Sequence, residues 1–185
     1  LLLIMIPLAT TELGTDSWIT PLMESVMGNN GAYVLVYTSA IMALLRFYAG
    51  PIVHKLSPLG LLALSSAIAC VGLSAISGAT GAMMMFAAAT LYAFGKTFFW
   101  PTMLGVVSEQ FPKGGALSLN AMGGVGMLGV GVIGAQFMGL FQDQTVEKIL
   151  LEEQPAIHAK IVDDKEGVFG AYKAVSPDKA SELNE

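Results

Sequence analysis

Two carboxylates and one lysine stand where the surrounding sequence is apolar. Glu12 and Asp16 are four residues apart within residues 1–27, and the spacing continues through Thr20 to Glu24. On a helix these groups form one slanting polar stripe. Lys96 lies near the middle of a second apolar run, residues 82–107. A charge inside a bilayer-length apolar stretch costs several kcal/mol unless it faces protein or water, so such residues mark a pairing or proton-binding site. The chemistry available is uptake and release of a proton by Glu12 or Asp16, or an ion pair with Lys96 that offsets part of each burial penalty. The bland alternative is a buried polar group that only orients helices. At about 1.5 Å per residue, Glu12 and Lys96 fall at matching depths in their runs.

The elements that must position these groups are long and apolar. The 185 residues are 54% hydrophobic and 12% charged, with a mean hydropathy of +0.65. Soluble domains carry roughly 25% charge, so the composition is that of an integral membrane protein. Net charge is −5, and it is uneven: residues 1–142 hold four basic and four acidic residues, whereas 143–185 hold five basic and ten acidic ones. An acidic chain with so few cations has no electrostatic footprint for nucleic acid. Composition therefore divides the chain into a transmembrane helix bundle, 1–142, and an acidic extramembrane extension, 143–185 with short amphipathic helices.

Five candidate spans follow in order: residues 1–27, 32–49, 59–76, 82–107 and 116–141. The first ends at the turn-forming run Gly28-Asn29-Asn30-Gly31. Pro101, beside Trp100, removes a backbone hydrogen bond within the fourth span and is predicted to kink it. In the fifth span Gly131, Ala135 and Gly139 recur every four residues and Gly124 extends the same face, a small-residue stripe suited to close helix packing. Arg46 and Lys55 flank one connection and Lys113 another, while the remaining short turns carry no positive charge. Positive loops stay cytoplasmic, so the first span runs from inside to outside and residues from 143 onward lie outside.

Other chemistries lack support in the sequence. Gly124, Gly126 and Gly129 satisfy G-x-G-x-x-G, and Glu147 lies downstream, but no strand precedes these glycines and they sit in a membrane-length run. Cys70 is the lone cysteine, which leaves no disulfide framework or cysteine-based metal site. His54 and His158 are isolated and read as solvated loop residues. No nucleophile or ligand set for an intramembrane enzyme is present, so neither catalysis, a metal nor a cofactor is expected. The chain starts on Leu1, without a basic leader, and reads as an internal fragment.

Two stretches carry a resemblance. Arg46-Phe-Tyr-Ala-Gly50-Pro-Ile-Val-His-Lys55-Leu-Ser-Pro58 resembles the cytoplasmic loop after the eighth helix of major facilitator superfamily transporters. Phe99-Trp-Pro101-Thr-Met-Leu-Gly105-Val-Val-Ser-Glu109-Gln-Phe-Pro112-Lys113 is similar to the tenth helix and its exit. The glycine-rich span would then be the eleventh helix, closest to the fucose permease-like branch. The resemblance implies an all-α polytopic bundle matching helices seven to eleven. It also implies a central cavity lined by the helices of Glu12 and Lys96, with Thr20, Trp100 and Pro101 as cavity-lining or gating residues. Arg46, Gly50 and Lys55 would form the loop motif. An N-terminal six-helix half and a final helix are absent from this stretch, and the extension is longer than the usual external loop.

Within the extension, Val146, Ile149 and Leu150 keep helical spacing until Pro155, giving an amphipathic helix expected over the outer mouth. A second helical piece is expected at 156–162, a loop at 167–172 and a last short helix after Ser176-Pro177. The function these readings imply is secondary transport of a small polar solute such as a sugar or nucleoside, coupled to a proton or sodium, in a cell membrane such as the bacterial inner membrane. The alternative is a non-transporting membrane protein, a sensor or assembly subunit, whose intramembrane charges only pair.

Overall fold

The computed structural model describes residues 1–27, 31–49 and 56–182. Among these residues the chain is mostly helical, and it divides into two compact units, Leu1–Val130 and Gly131–Glu185. The boundary falls inside the glycine-rich run, whereas the division expected at 142/143 rested on charge.

In the first unit the expected opening helix is interrupted. Helix α1 (Leu2–Ala9) passes into a π-helical turn, Thr10–Gly14, and then into α2 (Thr15–Met27). The local cause is visible in the side chains: Pro7 lacks an N–H, and the Thr11 hydroxyl donates to the Pro7 carbonyl at 2.8 Å. A threonine bonded back to the carbonyl four residues earlier competes with the helical ladder. The wider turn that contains this threonine carries Glu12 at its centre.

Helix α3 (Ala32–Phe47) follows, then α4 (Pro58–Ser77). Ser57 caps α4 by accepting from the Gly60 N–H at 3.1 Å, and Pro58 takes the first helical position, where no N–H is needed. The expected fourth span is two helices, α5 (Ala82–Lys96) and α6 (Phe99–Gln110), with the break at Thr97 and Phe98. The interruption therefore precedes Pro101 instead of centring on it. Pro101 occupies the third position of α6, where its missing N–H leaves the Thr97 carbonyl, four residues earlier, without a helical donor. Helix α7 (Gly115–Leu128) closes the unit and leads into a second π-helical turn, Gly129–Gly134.

Glycines set the helix contacts of this unit. A Cβ on Gly72 would lie 2.5 Å from the Tyr92 backbone, and one on Gly95 would strike the Ala69 backbone, so α4 and α5 touch main chain to main chain. The two contacts share one antiparallel register, which places Lys96 opposite residue 68, about 15 Å along α4 from Pro58. Gly126 packs against Met5 and Trp100, and Gly129 against Ile6. One core gathers Met5, Leu8, Ala9, Tyr92, Phe99, Met103 and Met122; a second gathers Ile19, Met23, Val34, Met85 and Ala89.

The second unit adds one small sheet to an otherwise helical chain. Helix α8 (Ala135–Glu153) and α9 (Pro155–Ile161) precede a two-stranded antiparallel hairpin, β1 (Val162–Gly167) with β2 (Gly170–Val175), and then α10 (Pro177–Glu182). The hairpin replaces the loop expected at 167–172. Gly170 adopts φ +109, a conformation a glycine reaches without strain, and this closes the two-residue turn at Val168 and Phe169.

Among the described residues, three helical stretches are by length and composition long and apolar enough to cross a membrane: Pro58–Ser77, Ala82–Gln110 and Pro112–Glu153. Ala32–Phe47 is apolar but shorter. The opening stretch is not among the three, since Glu12, Asp16 and Glu24 dilute its apolar character.

Candidate functional site

The polar residues singled out by spacing converge in the first unit, in pairs. Lys96 donates to the Asp16 carboxylate, joining the last turn of α5 to the first turn of α2. The Lys96 side chain is fully buried, and its ammonium also lies 5.1 Å from the centre of the Tyr92 ring, a cation–π contact. Tyr92 in turn donates its hydroxyl to the Thr11 carbonyl at 2.5 Å. That carbonyl belongs to the π-helical turn, where the ordinary ladder is disturbed and a side-chain donor can be accommodated. Among the described residues Lys96 therefore pairs with Asp16 and not with Glu12.

Glu12 has a different partner. Its Oε1 accepts from an Arg46 terminal nitrogen at 3.0 Å, while the Arg46 Nε donates to the Thr97 carbonyl at 3.1 Å. That carbonyl is the one Pro101 leaves free, so the proline, the helix break and the arginine form one unit of geometry. A guanidinium presents its donors in a rigid fork, which suits it to hold a carboxylate and a carbonyl at once. Glu12 is buried, and its Oε2 has no hydrogen-bond partner among the described residues. Two acids, two cations and a backbone carbonyl thus link α2, α3 and the α5–α6 break.

Arg46 was expected in a loop motif with Gly50 and Lys55. It instead lies in the last turn of α3, and the two companions, with His54, lie outside the described residues. Because Arg46 meets Glu12, it shares the acid's depth and is not a free loop charge for reckoning orientation. Beside it is a pocket of about 210 Å³ lined by Arg46, Pro58, Phe98, Pro101, Thr102 and Glu109, among others. Pro101 and the acid Glu109 stand on the wall of this pocket.

The remaining expected residues sit apart from the ion pairs. Thr20 lies one turn beyond Asp16, and a Cβ on Gly31 would come within 2.7 Å of its carbonyl, so its backbone supports the close entry to α3. Trp100 packs against Gly126, and its indole N–H is buried without a partner among the described residues. Gly124, Gly131 and Gly139 face open space, and Ala135 is exposed. The small-residue face expected to seat a helix is thus uncovered, whereas the neighbouring Gly126 and Gly129 carry the observed close contact. No cluster of metal-ligating side chains occurs among the described residues.

The chain matches no family model, no curated protein and no solved structure.

Proposed function

We propose that this chain is the later half of a membrane transporter of the major facilitator type, carrying a small polar solute such as a sugar or nucleoside by proton-coupled symport. Five membrane-spanning helices, including the acid-bearing opening stretch, would form its bundle, with a preceding six-helix half completing a central cavity. The observation that carries this reading is the pair of ion bridges, Arg46–Glu12 and Lys96–Asp16, each with one buried partner, Glu12 and Lys96, set between helices beside a π-helical turn. Intramembrane charges of this kind mark ion and substrate paths, and π-helical turns recur at functional sites.

The proton step follows from the geometry of Glu12. Its Oε1 is committed to Arg46 and its Oε2 is unpartnered, so a proton delivered to Oε2 would weaken the bridge to Arg46 without first displacing another donor. Arg46 would then hold the Thr97 carbonyl alone. The helix break at Thr97 and Phe98 is the element such a change would bias, in keeping with sites built on discontinuous helices.

A second reading is favoured by the completeness of the pairing. Each of the four charges has an opposite partner, as in a sensor or assembly subunit whose bridges only fix helix positions. Full-length gene product in proteoliposomes separates the two. The transport reading expects labelled sugars or nucleosides to accumulate under an imposed pH gradient; a folded protein that moves neither solute nor proton supports the pairing-only reading.

A further inference from the structure

The second unit has one polarity gradient shared by two elements that are remote in sequence. On α8, Phe137 and Phe141 are half exposed with ring centres 4.8 Å apart, and the charged residues Asp143, Glu147 and Lys148 follow toward the C-terminal end. The hairpin is arranged to match. Its charged residues Asp163 to Glu166 precede the tip along β1, Lys165 reaching Asp143 at 3.4 Å, and its tip is Val168-Phe169. Phe169 packs edge-on to Phe137 with ring centres 6.1 Å apart, so the tip lies at the level of the apolar half of α8.

The tip itself is unusual chemistry for a turn. Two-residue turns favour asparagine, aspartate and glycine, because their loop positions commonly require positive φ. Here Gly167 and Gly170 flank the turn and Gly170 supplies the positive φ, while the two loop positions hold a valine 65% exposed and a phenylalanine 51% exposed. Apolar side chains so exposed gain when an apolar medium covers them.

We infer that the Val168-Phe169 tip inserts into the boundary of the lipid bilayer and anchors the second unit alongside the apolar half of α8. The inference rests on the membrane reading given above. Lipid is favoured as the occupant because the gradient is common to helix and hairpin and runs along one direction: charge with charge at Asp143, aromatic with aromatic at Phe137. Asp143 and Phe137 are six residues apart, about 9 Å along the helix. A carboxylate at the headgroups therefore places the tip about 9 Å deeper, within the 5–10 Å reached by interfacial apolar groups. Phenylalanines gathered at that level, with charges on the water side, fit an interface better than a protein groove of mixed polarity.

The test uses full-length protein with Cys70 replaced by Ser and single cysteines labelled with an environment-sensitive fluorophore. The sites are Val168→Cys at the tip, Asp164→Cys along β1 and Val71→Cys on the exposed face of α4. After reconstitution into phosphatidylcholine–phosphatidylglycerol vesicles, the Val168 label should shift to the blue, be quenched by nitroxide-labelled lipid and be spared by iodide. The Asp164 label should do the opposite. If Val168 behaves as Asp164 does while Val71 is quenched by the lipid probe, the tip is in water; the anchor is refuted and the membrane reading stands. If Val168 is shielded from both quenchers while Val71 reports lipid, protein covers the tip and the anchor is again refuted. If Val71 also escapes the lipid probe in a protein that keeps its helical circular dichroism, the membrane reading itself is lost.

Discussion

Lys96 and Lys179 each hold one aspartate, and the contrast between them separates the two units. Lys96 meets Asp16 with its side chain at 0% exposure, between helices of the first unit, whereas Lys179 meets Asp163 with exposures of 46% and 48%. The contact is the same, but water decides its worth. At the surface the pair is screened and contributes about 0–1 kcal/mol, while between helices Lys96 has lost its hydration and depends on Asp16, which stays 21% exposed. Evolution of a stable bundle alone would favour apolar residues at 16 and 96, since a buried pair seldom adds net stability. The two pairs of the first unit are the ones on which the proposed proton step rests.

The largest effect should come from removing one partner of the buried pair. Lys96→Met strands the Asp16 carboxylate and should lower stability by about 3–5 kcal/mol, seen as an early thermal midpoint in detergent. Lys96→Met combined with Asp16→Leu should recover most of that loss. If Lys179→Met costs as much as Lys96→Met, the distinction between the units fails.

An intermediate effect is expected at the fork. Arg46→Lys keeps the charge but cannot bridge Glu12 and the Thr97 carbonyl together, which should cost about 1–3 kcal/mol. Pro101→Ala restores an N–H that can return to Thr97. In that background Arg46→Lys should be milder, with an interaction of about 1 kcal/mol in the double-mutant cycle. Strict additivity would mean that the proline and the arginine act independently.

Small effects belong to the second unit. Lys179→Ala should change stability by less than about 1 kcal/mol, and the change should vanish in high salt. Lys165 is raised above the ordinary 10.5 by its contact with the Tyr172 side chain and then by Asp143. A lysine raised in the folded state gives stability that is fully present below pH 10.5 and is lost as pH climbs through the raised value. The thermal midpoint of Lys165→Met should therefore approach that of the parent as pH climbs above 10.5; parallel curves would remove this contribution.

How far the sequence foretold all this depended on whether a feature is local. Glu12, Asp16 and Lys96 stood out because a charge in an apolar run is conspicuous without knowing its partner. Arg46 did not, because it sat near a loop-like stretch and its partner is 34 residues away. The signal existed: proline frees the carbonyl four residues before it, and counting back from Pro101 points to Thr97 as a buried acceptor in want of a donor. The hairpin was hidden for another reason. Residues 163–166 are all charged, so no alternation betrays a strand, and only Gly167 and Gly170 around Val168-Phe169 hint at a tight turn. The small-residue stripe was read by period, but Gly126 and Gly129, off that stripe, meet Met5 and Ile6, because the partner's position, not the period, decides which face is used.

The central claim is the proposal that the Arg46–Glu12 and Lys96–Asp16 bridges couple proton movement to solute movement. The direct measurement is proton entry into proteoliposomes holding a trapped pH-sensitive dye, on addition of each member of a sugar and nucleoside panel. It compares the full-length parent with a variant in which Glu12→Gln and Arg46→Gln remove one bridge as a pair. The parent should show solute-dependent acidification, and the variant, folded and still exchanging solute, should show none. Undiminished acidification with an unchanged pH profile in the variant would contradict the claim and leave the Glu12–Arg46 bridge a structural tie.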